Sequence, residues 1–188
     1  PLDFVASARI TYGVTGQSSY DEFFRNSAVS YGGFYVGQQL TDNATINLKK
    51  YARSKAAVAE MHEEIATLTE GADTAQWTTA QSLAVLEAAR KRDQLSAEEQ
   101  SYMLATAINL AAAIPVVEGS ARSATELTST APGLVSGARS SFGMLKAAGI
   151  ARNVRQSADR VSLIPTQAPR LVESMAVLTH GLAMINGH

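Results

Sequence analysis

Cysteine is absent from this 188-residue chain, which excludes disulfide scaffolds, thiolate zinc sites and thiol nucleophiles. Charge is also scarce: Asp, Glu, Lys and Arg make up 18% of the residues, against about 25% in typical soluble domains. The 46% of hydrophobic residues is still ample for the core of a single domain. We therefore expect a folded chain whose exposed faces are mostly uncharged.

The motifs of common catalytic and metal sites are missing as well. None of the three histidines, His62, His180 and His188, has the preceding glutamate of the Glu-x-x-His motif found in carboxylate-bridged metal sites. The segment His62-Glu63-Glu64-Ile65-Ala66 has alanine where a zinc protease needs its second histidine. The chain also lacks a Gly-x-Ser-x-Gly elbow, a phosphate-binding loop and a dinucleotide fingerprint. We predict a protein without catalytic activity, metal or cofactor.

The periodicity of the chain is helical, since no window alternates apolar and polar residues between two turn signals. We predict an all-α fold: a bundle of four to six amphipathic helices, mostly antiparallel neighbours and some of them long. Residues 1–18 are interpreted as an N-terminal arm or short helix, and residues 19–188 as a single bundle domain. The longest uncharged stretch, residues 100–117, contains polar residues and a proline, and we interpret it as a core helix.

The first clear helix signal is Ser19-Tyr20-Asp21-Glu22, which has the Ser-x-x-Glu form of a capping box. The apolar stripe that begins at Leu48 is rotated by roughly 140° from the aromatic stripe before it. One straight helix cannot bury both stripes on one neighbour. We therefore predict a turn or kink at Thr41-Asp42-Asn43, followed by a second helix, capped by Asp42 or Asn43, that extends to about Glu70.

Two further helix starts are predicted from turns and caps. Gly71-Ala72-Asp73-Thr74 predicts a turn before a third helix, which ends in the basic Arg90-Lys91-Arg92. Ser96-Ala97-Glu98-Glu99 is a second capping box and predicts the start of a fourth helix.

Prolines give the remaining boundary signals. Proline suits the first turn of a helix, because its φ angle is preset and the donor that it lacks would have no helical partner there. We therefore predict helix starts at Thr130, before Pro132, and at Thr166, before Pro169. Pro115 is interpreted as a kink in a helix that has already begun.

Six aromatic residues lie within the sixteen residues that follow the first capping box. Four of them recur at helical spacing and fall within about 40° of one another on the helix. We predict that they are mostly buried, since an exposed patch of six rings exceeds what monomeric proteins tolerate. They form the candidate face for an apolar ligand or a partner: Tyr20, Phe23, Phe24, Tyr31, Phe34 and Tyr35.

The formal net charge of −1 conceals a segregation of charge. Residues 60–73 carry five acidic side chains and no Lys or Arg, whereas residues 139–170 carry six cations and one acidic residue. Either these two faces pair inside the bundle, or the basic stretch docks on an anionic partner, lipid or acidic protein. A pI near 6.4, with one aromatic residue, Phe142, among the cations, argues against nucleic acid. The candidate face for an anionic partner comprises Arg139, Lys146, Arg152, Arg155 and Arg160.

The sequence thus predicts a non-catalytic structural or interaction protein whose partner is another protein or a second copy of the chain. The alternative is a protein that binds lipid or another apolar ligand, in an aromatic-lined bundle core or through amphipathic helices at a membrane surface. Low-charge helices and a first residue other than Met also suit a processed protein of the bacterial cell envelope, outside the cytoplasm.

Overall fold

The computed structural model describes residues 14–49 and 96–185, of which 94% are helical and none is in a strand. The predicted all-α class is therefore confirmed for these residues. Their helices are α1 (Ser18–Lys49), α2 (Ala97–Val161) and α3 (Ile164–Ile185). The count of four to six helices stays a prediction, because the predicted third helix and most of the second lie outside the described residues.

The described residues belong to two compact units. The first unit contains residues 14–36 and 115–169, and the second contains residues 37–49, 96–114 and 170–185. Each unit has its own buried core. The largest core side chains of the first are Tyr20, Phe23, Phe24, Phe34, Val117, Leu127, Val154, Val161 and Ile164; those of the second are Met103, Leu110, Met175, Leu178 and Leu182.

Helix α2 does not run straight, because Gly143 within it has non-helical backbone angles, φ 70° and ψ 171°. Side chains from residues 128–136 and from residues 155–162 line one groove. In a straight helix, Pro132 and Asp159 would lie about 40 Å apart at 1.5 Å per residue. The chain therefore reverses at Gly143. In the first unit, we call residues 115–142 the outgoing arm and residues 144–161 the return arm.

Buried positions on both sides of Gly143 recur every seven residues. The positions of this series are buried, except for the half-buried Ala147. Such a repeat is typical of coiled-coil packing, in which one seam of the helix keeps facing its neighbour. In the first unit the series is Val117, Ala124, Ala131 and Ala138, then Ala147, Val154, Val161 and Ala168; in the second unit it is Met103 and Leu110, then Met175 and Leu182.

Helix α1 packs against the outgoing arm at two places. The Tyr20 hydroxyl donates a hydrogen bond to the carbonyl oxygen of Leu134 at 2.7 Å, and the Ser30 hydroxyl donates to that of Ser120 at 2.8 Å. Because a later residue of α1 meets an earlier residue of the arm, the two are antiparallel. A Cβ atom added to Gly33 would lie 2.5 Å from the Ser120 Oγ atom, so glycine permits this close approach.

The start of α1 differs from the predicted capping box. The helix begins at Ser18, which places Ser19 inside the first turn. The Asp21 carboxylate accepts hydrogen bonds of 2.7 Å from both the backbone N–H and the hydroxyl of Thr15. Partial burial raises the pKa of Asp21, but hydrogen bonds from Thr15 and Gly16 outweigh burial and hold the pKa below its usual value. Asp21 thus ties the segment before α1 to the first turn of the helix.

The capping box predicted at Ser96 is confirmed. The Ser96 backbone N–H donates to Oε2 of Glu99 at 2.7 Å, and the Glu99 backbone N–H donates to the Ser96 hydroxyl at 3.2 Å. Two N–H groups that lack helical partners are therefore satisfied reciprocally, and α2 begins at the next residue, Ala97.

The predicted turn at residues 41–43 is wrong, because α1 continues through them to Lys49. The Thr41 hydroxyl donates to the Gly37 carbonyl oxygen at 2.8 Å, and the Thr45 hydroxyl donates to that of Thr41 at 2.9 Å. These buried hydroxyls therefore find their partners inside the helix and do not end it. Residues 50–70, which carry most of the second apolar stripe, lie outside the described residues.

The helix start predicted at Thr130 is also wrong, whereas a helix does begin close to the predicted Thr166: α3 starts two residues earlier, at Ile164. Pro132 lies inside α2, as does Pro115, and Pro169 lies inside α3, which begins before Thr166. All three prolines are exposed. A carbonyl that loses its helical donor on the solvent side can be hydrated, so proline is tolerated there within a helix.

Candidate functional site

The aromatic face is mostly part of the core. Four of its rings, Tyr20, Phe23, Phe24 and Phe34, are at most 6% exposed, and the predicted burial of the cluster is confirmed. The remaining two differ: Tyr31 is half-buried and Tyr35 is 48% exposed, and their rings stack at a centroid distance of 6.3 Å. Phe23 and Phe24 contact each other edge to face, with ring centroids 5.7 Å apart.

A shallow groove of about 600 Å³ lies between the outgoing and return arms. Its hydroxyls donate hydrogen bonds to backbone carbonyls of their own helices, Ser136 to Pro132 and Ser162 to Asp159, both at 2.8 Å. None of the six aromatic residues lines the groove. Its lining residues are Thr128, Ala131, Pro132, Val135, Ser136, Arg155, Ala158, Asp159 and Ser162.

The reversal at Gly143 exposes two large apolar side chains. Leu145 is 100% exposed and Met144 is 72% exposed. The preceding residue, Phe142, is half-buried and packs edge to face on Tyr20, with ring centroids 4.8 Å apart. This contact holds the turn against α1. We call residues 139–146 the tip; it combines an anchored backbone with apolar side chains that folding leaves in water.

Cations flank the exposed pair on both arms. Arg139 and Lys146 are exposed, and the Nη2 atom of Arg139 lies 2.8 Å from the Sδ atom of Met144. Residues 127–158 contain four cations and no Asp or Glu. Within the part of the chain that the structure describes, no carboxylate forms an ion pair with Arg139, Lys146 or Arg152. The tip is therefore basic as well as apolar.

The candidate face for an anionic partner is fully exposed, but its cations do not form one cluster. At 1.5 Å per residue, Arg139 and Lys146 lie within about 6 Å of the turn along the helix axis. Arg152 lies about 14 Å from the turn, and Arg155 and Arg160 lie about 18 and 26 Å from it. The acidic stretch predicted to pair with this face is outside the described residues, so that pairing stays a prediction.

Sequence reasoning missed Met144 and Leu145 as functional candidates. The signal that could have found them is a change of phase in the seven-residue repeat. Ala138 and Ala147, the repeat positions on either side of Gly143, are nine residues apart. Such a phase break interrupts the seam, and the glycine inside it can adopt the positive φ that a turn requires; residues beside the turn then lie at its outer end.

Other features of the described residues point to no second site. They contain no group of three or more His, Asp or Glu residues that could hold a metal ion. One stretch within Ala97–Thr179 is long and apolar enough to cross a membrane by length and composition alone, and 33% of it is buried inside the protein. Comparison of the chain with protein families, curated proteins and solved structures finds no match.

Proposed function

We propose that this chain is a non-catalytic interaction protein and that the tip is the surface that contacts its partner. The observation that carries the proposal is the exposure of Leu145 and Met144 beside flanking cations on an anchored turn. Burying a side chain of this size gains about 1.5–3 kcal/mol. Because both side chains are largely exposed, they would gain this free energy only when a partner buries them, and their burial would stabilise the complex.

The polar groups of the first unit support a structural role. The groove hydroxyls of Ser136 and Ser162 donate to the backbone of their own helices, and Ser30 joins α1 to the outgoing arm. The alternative function, an apolar ligand held among the aromatic rings, has less support. Phe23 and Phe24 pack on each other and Tyr20 packs on Phe142, and none of the six aromatic residues lines the groove between the arms.

Site-specific photocrosslinking tests the proposal. A benzophenone amino acid replaces Leu145 in one variant and Leu163 in a control, each produced in the organism that makes the protein. Leu163 is a matched control because it is also a leucine, is 61% exposed and belongs to the same unit. We expect cross-links from position 145 to a protein, a second copy of the chain or lipid, and none from position 163. Equal yields at the two positions, or none at position 145, would contradict the proposal.

A further inference from the structure

We infer that the tip docks on an anionic lipid surface, with Met144 and Leu145 inserted among the lipids and Arg139 and Lys146 at the level of the headgroups. This inference rests on the proposed function, since it names the partner of the same surface. It follows from the order of side chains at the tip, from the charge around the tip and from the small area that the tip offers.

The order of side chains matches the polarity of a membrane interface. The apolar pair follows the turn directly, and the nearest cations lie about 4 to 6 Å behind the turn along the helix axis. Interfacial segments bury apolar side chains about 5–10 Å deep, at the boundary between headgroups and acyl chains. Long basic side chains keep their charge at the polar level. The exposed Ser140 adds a hydroxyl at the height of the cations.

The charge around the tip selects an anionic surface. Among the described residues, two acidic side chains follow Tyr20, whose ring contacts Phe142: Asp21 and Glu22. Glu22 pairs with Arg25 at 3.9 Å, whereas Asp21 keeps its negative charge, which hydrogen bonds from Thr15 stabilise. Residues 127–158 themselves contain four cations and no carboxylate, so the charge of the tip is positive.

The contribution of each cation to lipid binding depends on its distance from the lipid surface. The attraction between a cation and an anionic leaflet falls off within a Debye length of roughly 8–10 Å at physiological salt. Arg139 and Lys146 lie within that distance of the turn, whereas Arg155 and Arg160 lie about 18 Å or more away. Replacing Arg139 and Lys146 must therefore weaken binding to an anionic surface. Replacing Arg155 and Arg160 must change that binding little.

A lipid surface also suits the size of the site. A specific protein interface buries about 800 Å² on each partner, and the tip offers two exposed apolar side chains on a convex turn. A bilayer needs no complementary pocket, because insertion of two side chains and contact of two cations with headgroups are additive at an interface.

Vesicle binding tests this inference with two matched pairs of variants. Co-sedimentation uses vesicles of phosphatidylcholine with or without phosphatidylglycerol. Leu145→Ser is compared with Leu163→Ser, and Arg139→Gln/Lys146→Gln with Arg155→Gln/Arg160→Gln. All six replaced side chains are exposed, so we expect each variant to fold, which far-ultraviolet circular dichroism checks. Because the chain has no cysteine, a Leu145→Cys variant also carries a single environment-sensitive fluorophore.

We expect binding to anionic vesicles that weakens as salt rises from about 0.1 M to about 1 M, where the Debye length falls from roughly 10 Å to 3 Å. Leu145→Ser should lower the affinity on the order of 10- to 100-fold, and the double variant of the tip should lower it roughly 30-fold. The two control variants should bind like the wild type, and the fluorophore at position 145 should report an apolar environment.

Three outcomes would overturn the lipid inference: no binding to anionic vesicles, equal loss in tip and control variants, or cross-links from position 145 to protein alone. The last outcome leaves the proposed function intact, because the tip would still contact a partner. Absence of any cross-link at position 145 refutes the proposed function itself, so the two failures are distinguishable.

Discussion

Replacement of Gly33 by alanine reverses the usual effect of this substitution in a helix. In an open helical position, Gly→Ala stabilises by about 0.5–1 kcal/mol, because alanine loses less backbone entropy. At Gly33 the new Cβ atom would lie 2.5 Å from the Ser120 Oγ atom and 3.0 Å from the Val116 Cγ1 atom. Forcing such a contact typically costs about 1–3 kcal/mol. We therefore expect a net destabilisation of about 0.5–2 kcal/mol.

The measurement is the free energy of unfolding from urea denaturation, with Gly133→Ala as the control. Gly133 lies in the same unit and within a helix, and a Cβ atom there meets nothing within 4 Å. We expect the control to be stabilised by about 0.5–1 kcal/mol. Combining Gly33→Ala with Ser120→Gly removes the nearer clash, so the cost of Gly33→Ala should shrink in the double-mutant cycle. Equal stabilisation at Gly33 and Gly133 would refute the close helix approach.

Three further predictions concern single groups of the first unit. Gly143→Ala should destabilise by about 1–3 kcal/mol in thermal melts, because φ 70° with ψ 171° is accessible essentially only to glycine; unchanged stability would argue against the reversal. Ser27→Ala should stabilise by about 1 kcal/mol, since its buried hydroxyl has no partner, whereas Ser30→Ala should destabilise by about 1 kcal/mol through loss of its bond to the outgoing arm. Denaturant melts giving the same sign for both serines would contradict this assignment. The pKa of Asp21 is lowered in the folded state, so its stabilising contribution is present above the usual carboxyl pKa and is lost as pH falls through the folded pKa. The stability difference between the wild type and Asp21→Asn should shrink in acid-range melts, and a constant difference between neutral and acid pH would show that the hydrogen bonds from Thr15 to the carboxylate do not stabilise the fold.

Local patterns predicted part of this fold correctly. The helical class, the capping box at Ser96 and the burial of most aromatic rings depend on spacing along one element. The errors arise where a hydrogen-bond partner or contact with solvent determines whether a helix continues. Solvent on the outer face lets Pro132 continue a helix, and a backbone carbonyl one turn earlier satisfies Thr41 inside a helix.

The tip could not be predicted from the pattern that we used. We used a 3.6-residue period, which describes the apolar face of a single straight helix. The arms around Gly143 instead follow a seven-residue repeat, in which the reversal is visible only as a change of phase. Exposure of Leu145 is a property of the turn, because the same residue within the seam would be buried. Composition and charge identified the basic stretch, and geometry selected from it the two cations beside Leu145.

The seven-residue spacing of the seam restricts how the length of this protein can vary among related chains. One inserted residue within an arm rotates every later side chain by about 100° and carries the remaining seam positions into water. A seven-residue insertion keeps the phase but lengthens the arm by about 10.5 Å, so the opposite arm must grow equally. Lineages should therefore gain or lose length as paired heptads in the two arms, while single residues are added or lost at the turn beside Gly143.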